Sequence, residues 1–340
     1  MYSDLDADEA WERLRASRSN PPARANTGAR RKTYSAALEQ TGQMFRAAAV
    51  VDPATRPLQV FYGLSQAGRA IAAAAWSIKG VDWRLISHGI KATGFDRPLP
   101  DIEIRTDPPG TQGSFVKVSE VLDSPVWETA PVRLEDIWDL LPTNLGYPLT
   151  SRDRFTPLYT DERSVGDYEH GLLSVPVCDI PDRVIDAGTR EALADFLTAY
   201  PALAKHESYV TTSALSYGAL PEYSRYQHGG GELQVNWLMP QKSATSAQRL
   251  EYLRAMTRGY SRRRYFLPVL LPMKRELHPL MAWWAVLYAL SMLARYEPAV
   301  WGTLISVDNS QHAVPIERLL ERAINHLPAL IADTIAEVSA

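Results

Sequence analysis

The sequence predicts a mainly α, α+β protein in which N- and C-terminal helices form a bundle around an inserted β-containing middle region. Three observations carry that prediction. Residues 278–301 form an almost wholly apolar run that ends in Arg295-Tyr296-Glu297-Pro298, with Trp301 one turn further on. Residues 58–76 and 315–338 repeat apolar side chains every three or four positions, the period of one helical face. Between about 100 and 240 the pattern shifts to short alternating runs broken by Pro and Gly, the mark of strands.

At 46% hydrophobic and 22% charged, the 340 residues can build a core, and disorder is excluded as the general state. The net charge of −3 supplies no global field for nucleic acid, so such a contact would need a local patch. One cysteine, Cys178, excludes an intramolecular disulfide and fits a reducing cytoplasmic compartment. The acidic opening residues have no apolar core, and a secretory signal is not expected. Leu280 to Ala294 rises only about 22 Å as a helix, short of the roughly 30 Å hydrocarbon core, so it is expected to be buried in protein and not in a membrane.

In order, residues 4–18 read as a helix, and 19–32 as a basic, loop-like arm with Arg24, Arg30, Arg31 and Lys32. This gives an arm-bearing segment 1–32 and one domain 33–340. Residues 33–50 predict a second helix. The third, 58–76, carries Phe61, Leu64, Gly68, Ile71 and Ala75 on one face. Its glycines lower helix propensity by about 1 kcal/mol each, which a close approach by another helix would offset. Residues 101–105 and 114–118 alternate and predict a hairpin around Pro108-Pro109-Gly110. A short helix is expected over 132–141. Strands are expected at 172–177, on a sheet edge if Pro176 lies inside, at 209–216, and at 233–238. Helices are expected over 189–203, 246–265 and 315–338. Pro279 suits the first turn of the apolar helix, and Pro328 is expected to kink or split the last one.

Phe61-Tyr62-Gly63-Leu64-Ser65-Gln66-Ala67-Gly68-Arg69-Ala70, Ser87-His88-Gly89 and the run from His278 to Trp301 resemble the YaaC-like family of bacterial proteins. The resemblance spans roughly residues 30–330. It implies no activity, because the family brings no mechanism with it. A weaker, fold-level likeness is to HEPN helical proteins, whose catalytic members use an Arg and a His with four to six residues between them. Here Arg84/His88 and Arg322/His326 are separated by only three residues, a departure from that pattern.

Four groups are candidates for chemistry. Arg295, Tyr296, Glu297 and Trp301 read as a ligand-binding cluster, with the guanidinium for an anion and the rings for stacking. The competing reading is an Arg295–Glu297 ion pair that holds helix ends together. Arg69 and His88 read as a stabilising cation and a general base for metal-independent RNA cleavage, with Arg84 as an alternative partner. The competing reading is an exposed arginine and a turn histidine. Arg254, Arg258, Arg262, Arg263 and Arg264, interleaved with tyrosines, read as a nucleic-acid-binding patch, with a solvated helix face as its competitor. The seven histidines show no metal-site spacing, and neither a metal nor a cofactor is expected. Gly229-Gly230-Gly231 lacks the residues of a phosphate loop and reads as a turn. The leading expectation is a nucleic-acid- or ligand-binding accessory protein, with RNA or a nucleotide as ligand, in defence or stress response. A HEPN-like ribonuclease and a structural or regulatory partner of another protein remain open, so whether the chain is an enzyme does too.

Overall fold

The computed structural model describes residues 6–165, 171–205, 208–211, 224–225, 231–241, 243–260, 263–271 and 273–340. Among the described residues helix far exceeds strand, so the fold is α+β and mainly helical. The chain divides into two compact units, Met1–Arg154 with Leu277–Ala340, and Phe155–Glu276.

The first unit holds both ends of the chain. Its helices are α1 (Ala7–Ser17), α2 (Gly28–Val50), α3 (Arg56–Ala74), α4 (Ser114–Val121), α5 (Leu134–Trp138), α9 (Pro279–Tyr296), α10 (Pro298–Leu304) and α11 (Ala313–Ser339). A small antiparallel sheet joins β1 (Ile90–Thr93), β2 (Glu103–Thr106) and β3 (Val132–Arg133). Asp6 opens α1 with a capping box, its carboxylate accepting from Glu9 N–H while Glu9 reaches back.

α3 packs on α2, α4, α9 and α11, which explains its glycines. A β-carbon at Gly63 would lie 2.8 Å from the Phe45 ring, and one at Gly68 would lie 2.7 Å from Cζ3 of Trp284. Both positions therefore trade helix propensity for close packing. In α9 every residue from Leu280 to Leu293 is buried. Each fully buried large apolar side chain contributes about 1.5–3 kcal/mol, so α9 anchors the core. α11 runs unbroken through Pro328, contrary to the expected split, and Leu319, Leu327, Ile331 and Ile335 on it are buried on either side of the proline.

Two local expectations are corrected here. Residues 114–118 are not a strand but open α4, and β2 pairs instead with β1 and β3. Phe115, Val118, Ser119 and Leu122 share a helical period, and all four are buried. The basic stretch at 24–32 forms a short 3-10 turn and the start of α2. Arg24 donates to Trp76 O (2.6 Å) and Arg30 to Ile78 O (2.8 Å), both just beyond α3, and Arg30 also to Ala73 O in its last turn (3.3 Å).

The second unit contains β4 (Leu158–Thr160), β5 (Leu172–Ile180), α6 (Asp182–Ala187), α7 (Arg190–Leu197), β6 (Ser208–Thr211), β7 (Ser224–Arg225), β8 (Gly231–Leu238), α8 (Ser246–Met256), β9 (Arg258–Tyr260), β10 (Arg263–Phe266), β11 (Val269–Leu270) and β12 (Arg275–Glu276). The main sheet runs β6-β8-β5-β4-β10-β9, with β7 also on β8 and each pairing antiparallel. Leu173, Val175 and Val177 of β5 and Leu233, Val235 and Trp237 of β8 form its core with Leu193, Phe196 and Leu197 of α7. β5 is interior, so the edge placement expected from Pro176 is corrected. β4 meets β5 at Tyr159 opposite Cys178, beyond the proline, so no β4 ladder is interrupted there. The helix expected over 246–265 ends at Met256, and the chain returns as β9 and β10. Thr257 and Gly259 are poor helix formers, and Tyr260, Tyr265 and Phe266 favour strand. The remainder of the strand expected at 209–216, beyond Thr211, and Gly229 and Gly230 of the glycine triplet lie outside the described residues, while Gly231 opens β8.

Candidate functional site

The site forms where α3, the loop before β1 and the end of α9 meet in the first unit. The loop is fixed by backbone. Gly89 has φ +71° and its Cα abuts Gly113, where either β-carbon would clash with the opposite glycine. Ser114 N–H donates to Ser87 O (2.8 Å) and Phe115 N–H to His88 O (2.9 Å), so the first turn of α4 clamps the residues flanking the imidazole. Asp107 N–H closes the other side on Gly89 O at 3.0 Å.

His88 is thereby held half-buried among three rings. Its ring centroid lies 5.3 Å from Phe61, 6.4 Å from Tyr62 and 6.1 Å from Tyr288. Burial, then the charges of Arg69 and Arg295, hold its pKa below the ordinary histidine value, so the ring is neutral at pH 7. Arg69 donates to Leu85 O at 2.8 Å. Arg295 donates to the Tyr62 hydroxyl at 2.7 Å and lies over the Tyr296 ring, 5.1 Å from its centroid. Among the described residues neither guanidinium has a carboxylate within the 4.0 Å of an ion pair. Burial pushes the Tyr288 hydroxyl up to about 12, so it stays protonated.

Arg69, His88, Arg295 and Tyr296, separate candidates in the sequence, thus come together. Tyr62 and Tyr288 complete the cluster and were missed. Tyr288 leaves a signal, because a phenol inside so apolar a helix needs a polar outlet. The expected Arg295–Glu297 ion pair is absent among the described residues, and both side chains are exposed. Glu297 terminates α9, its N–H donating to Leu293 O. Trp301 is buried, with its indole N–H shared between Pro53 O and Ala54 O (3.3 and 3.1 Å), so it locks α10 down and offers no free stacking face.

Arg84 is exposed and lies 5.5 Å from the Trp83 ring centroid. His326, four residues beyond Arg322 in α11, is pushed down to about 4 by burial and then by that arginine.

The arginines of 254–264 belong to the second unit and do not share a helical face. Arg254 makes a bidentate pair with Glu162 (2.8 and 2.7 Å). Arg264 is buried and donates to Thr257 Oγ1, Thr257 O and Arg254 O. Arg263 lies 5.2 Å from the Tyr159 ring centroid, and Arg258 sits near Glu276. Arg262 lies outside the described residues, as do His170, His206 and His228. Among the described residues no three His, Cys, Asp or Glu side chains gather as a metal set, and no helix is long and apolar enough to cross a membrane.

The model of the YaaC-like Protein family matches residues 8–335, nearly the whole chain. The chain belongs to the YaaC-like family. The match covers α3, the His88 loop and α9, so every element of the cluster lies within the family's span. No curated protein matches this YaaC-like chain, and no solved structure does. The HEPN likeness gains no support from these comparisons.

Proposed function

We propose that this YaaC-like chain binds a small anionic ligand at Arg69, His88 and Arg295. The observation that carries the reading is a pair of guanidiniums from different helices with no carboxylate partner among the described residues, set beside the half-buried His88 and Tyr62 rings. Arg69, partly buried against the rings, carries a charge that is costly to leave unpaired, whereas Arg295 is exposed and free to reach an anion arriving from solvent. An incoming anion supplies that missing partner. A nucleotide or RNA phosphate is one such ligand, and an accessory role in a cytoplasmic bacterial process fits a binder. The arginines of 254–264 lend this reading little, because those described bond mainly to protein groups.

Titration with sulfate, followed by NMR or calorimetry, tests it. Saturable binding that falls about tenfold or more in Arg295→Gln is expected, the loss of one charge-assisted contact. Binding that is absent, or unchanged in the variant, overturns the reading.

A second reading makes His88 a general base for RNA cleavage, favoured by its neutral ring between two cations. RNA cleavage that survives EDTA and vanishes in His88→Ala supports it. No cleavage removes it.

A further inference from the structure

Resting on the anion-binding reading, we infer that the ligand's anionic group is a dianionic phosphate monoester and that Tyr62 and Tyr296, backed by the buried rings of Phe61 and Tyr288, receive its organic part. The first argument is charge. Two guanidiniums act on the site, and Asp107, the carboxylate near Tyr288, is already paired with Lys91 at 3.0 Å. A carboxylate or a phosphodiester brings one negative charge, whereas a monoester brings about two near neutral pH.

The second argument is the number of contacts. Arg69 uses one guanidinium nitrogen on Leu85 O and Arg295 one on the Tyr62 hydroxyl, which leaves N–H groups on both. The His88 ring nitrogens make no hydrogen bond to protein among the described residues; its backbone carbonyl makes the loop contacts. Three groups on three separate elements thus remain to bind: one guanidinium on α3, one on α9, one imidazole on the loop. A monoester has three non-bridging oxygens, a diester two. A single fork would satisfy a carboxylate, and the site holds two.

The third argument is the wall. Phe61 and Tyr288 are buried and back the wall, whereas Tyr62 is half-buried and Tyr296 is 59% exposed with Arg295 over its ring, so these two present the accessible faces. Free phosphate has no use for such a surface, but a planar organic group does.

pH separates the charge argument from its rival. The titratable and charged groups around His88 are Tyr62 and Arg69 on α3 and Tyr288, Tyr296 and Arg295 on α9, with Asp107 on the Tyr288 side neutralised by Lys91. If ligand charge governs, affinity for methyl phosphate rises as pH passes the ester's second ionisation at about 6. If a protonated His88 governs, affinity falls over the same range.

The experiment is calorimetric or NMR titration of the full chain with inorganic phosphate, sulfate, methyl phosphate, phenyl phosphate, dimethyl phosphate and acetate. Phenyl phosphate is expected to bind about fivefold or more tighter than methyl phosphate, through an aromatic contact. Inorganic phosphate should bind no tighter than methyl phosphate. Dimethyl phosphate and acetate should be at least about tenfold weaker, and affinity for methyl phosphate should rise between pH 5.5 and 7.5. Tyr296→Ala, an exposed change, should bring the ratio of phenyl to methyl phosphate affinity close to one, a ratio that any shift of Arg295 common to both ligands does not alter. Equal binding of dimethyl phosphate or acetate, a phenyl advantage absent from the start, or affinity that falls with pH overturns this inference while the anion site stands. No binding of any probe, sulfate included, overturns both.

Discussion

Gly68 of α3 lies against the indole of Trp284 in α9, so closely that no β-carbon fits between them. That contact brings the helix bearing Arg69 against the helix bearing Arg295. Gly68→Ala should therefore destabilise the protein by about 1–3 kcal/mol through overpacking, although alanine improves helix propensity by about 1 kcal/mol. Denaturant unfolding measures the balance. A variant as stable as the parent would mean that the helices part without cost. Gly28 meets nothing within 4 Å but has φ +58°, so loss there would reflect backbone strain alone.

His278 caps α9. Its Nδ1 accepts Leu280 N–H at 3.1 Å, its Nε2 faces Glu337 at 3.4 Å, and its own N–H donates to Ser124 Oγ at 3.1 Å. Accepting on Nδ1 assigns the ring proton to Nε2. His278→Ala should cost about 1–3 kcal/mol, the lost cap plus the cavity, and His278→Asn, a good cap residue, about half as much. Thermal melts of the two variants check the order, and equal losses would remove the capping role.

Asp139 is buried beside Arg154, which donates to it at 2.8 Å, yet burial outweighs the arginine and raises its pKa to about 6. A carboxyl with a raised folded-state pKa contributes stability that is full below its unfolded value of 3.8 and is lost as pH rises through about 6. Relative to the parent, Asp139→Asn should gain stability between pH 4 and 7.5, by up to about 3 kcal/mol. Unfolding curves of both proteins at several pH values test the sign; a difference that does not vary with pH would refute it.

Glu162 behaves oppositely. The Arg254 hydrogen bonds hold its pKa below the ordinary glutamate value, with Arg254 and Arg264 charges adding to the effect. Its contribution is present above the unfolded value and is lost as pH falls through the lowered one. Glu162→Gln should cost about 1–3 kcal/mol at pH 7, with the gap to the parent narrowing in acid. A gap that widens toward low pH would contradict the assignment.

Much of the first unit was legible. The apolar run at 278–301 and the periodic faces of 58–76 and 315–338 read directly, because local spacing decides which side of a helix is buried. Residues 114–118 did not read correctly. Five residues fit both periods, and the choice rests on Gly113 meeting Gly89, a contact between separate loops. The same holds for 257–266, where strand pairing across β9, β10 and β4 overrides the helical spacing of Arg254 and Arg258.

The candidate site divides along the same line. The sequence by itself determined the mainly helical class, the burial of α9, the YaaC-like resemblance and which residues were worth watching, since these depend on composition and short-range period. Only the tertiary structure decided that Arg69, His88 and Arg295 share one cluster, that Tyr62 and not Glu297 holds Arg295, and that Trp301 is a core residue. Tyr62 and Arg295 stand 233 positions apart. Their meeting is set by how α3 and α9 pack, and no local pattern carries that information.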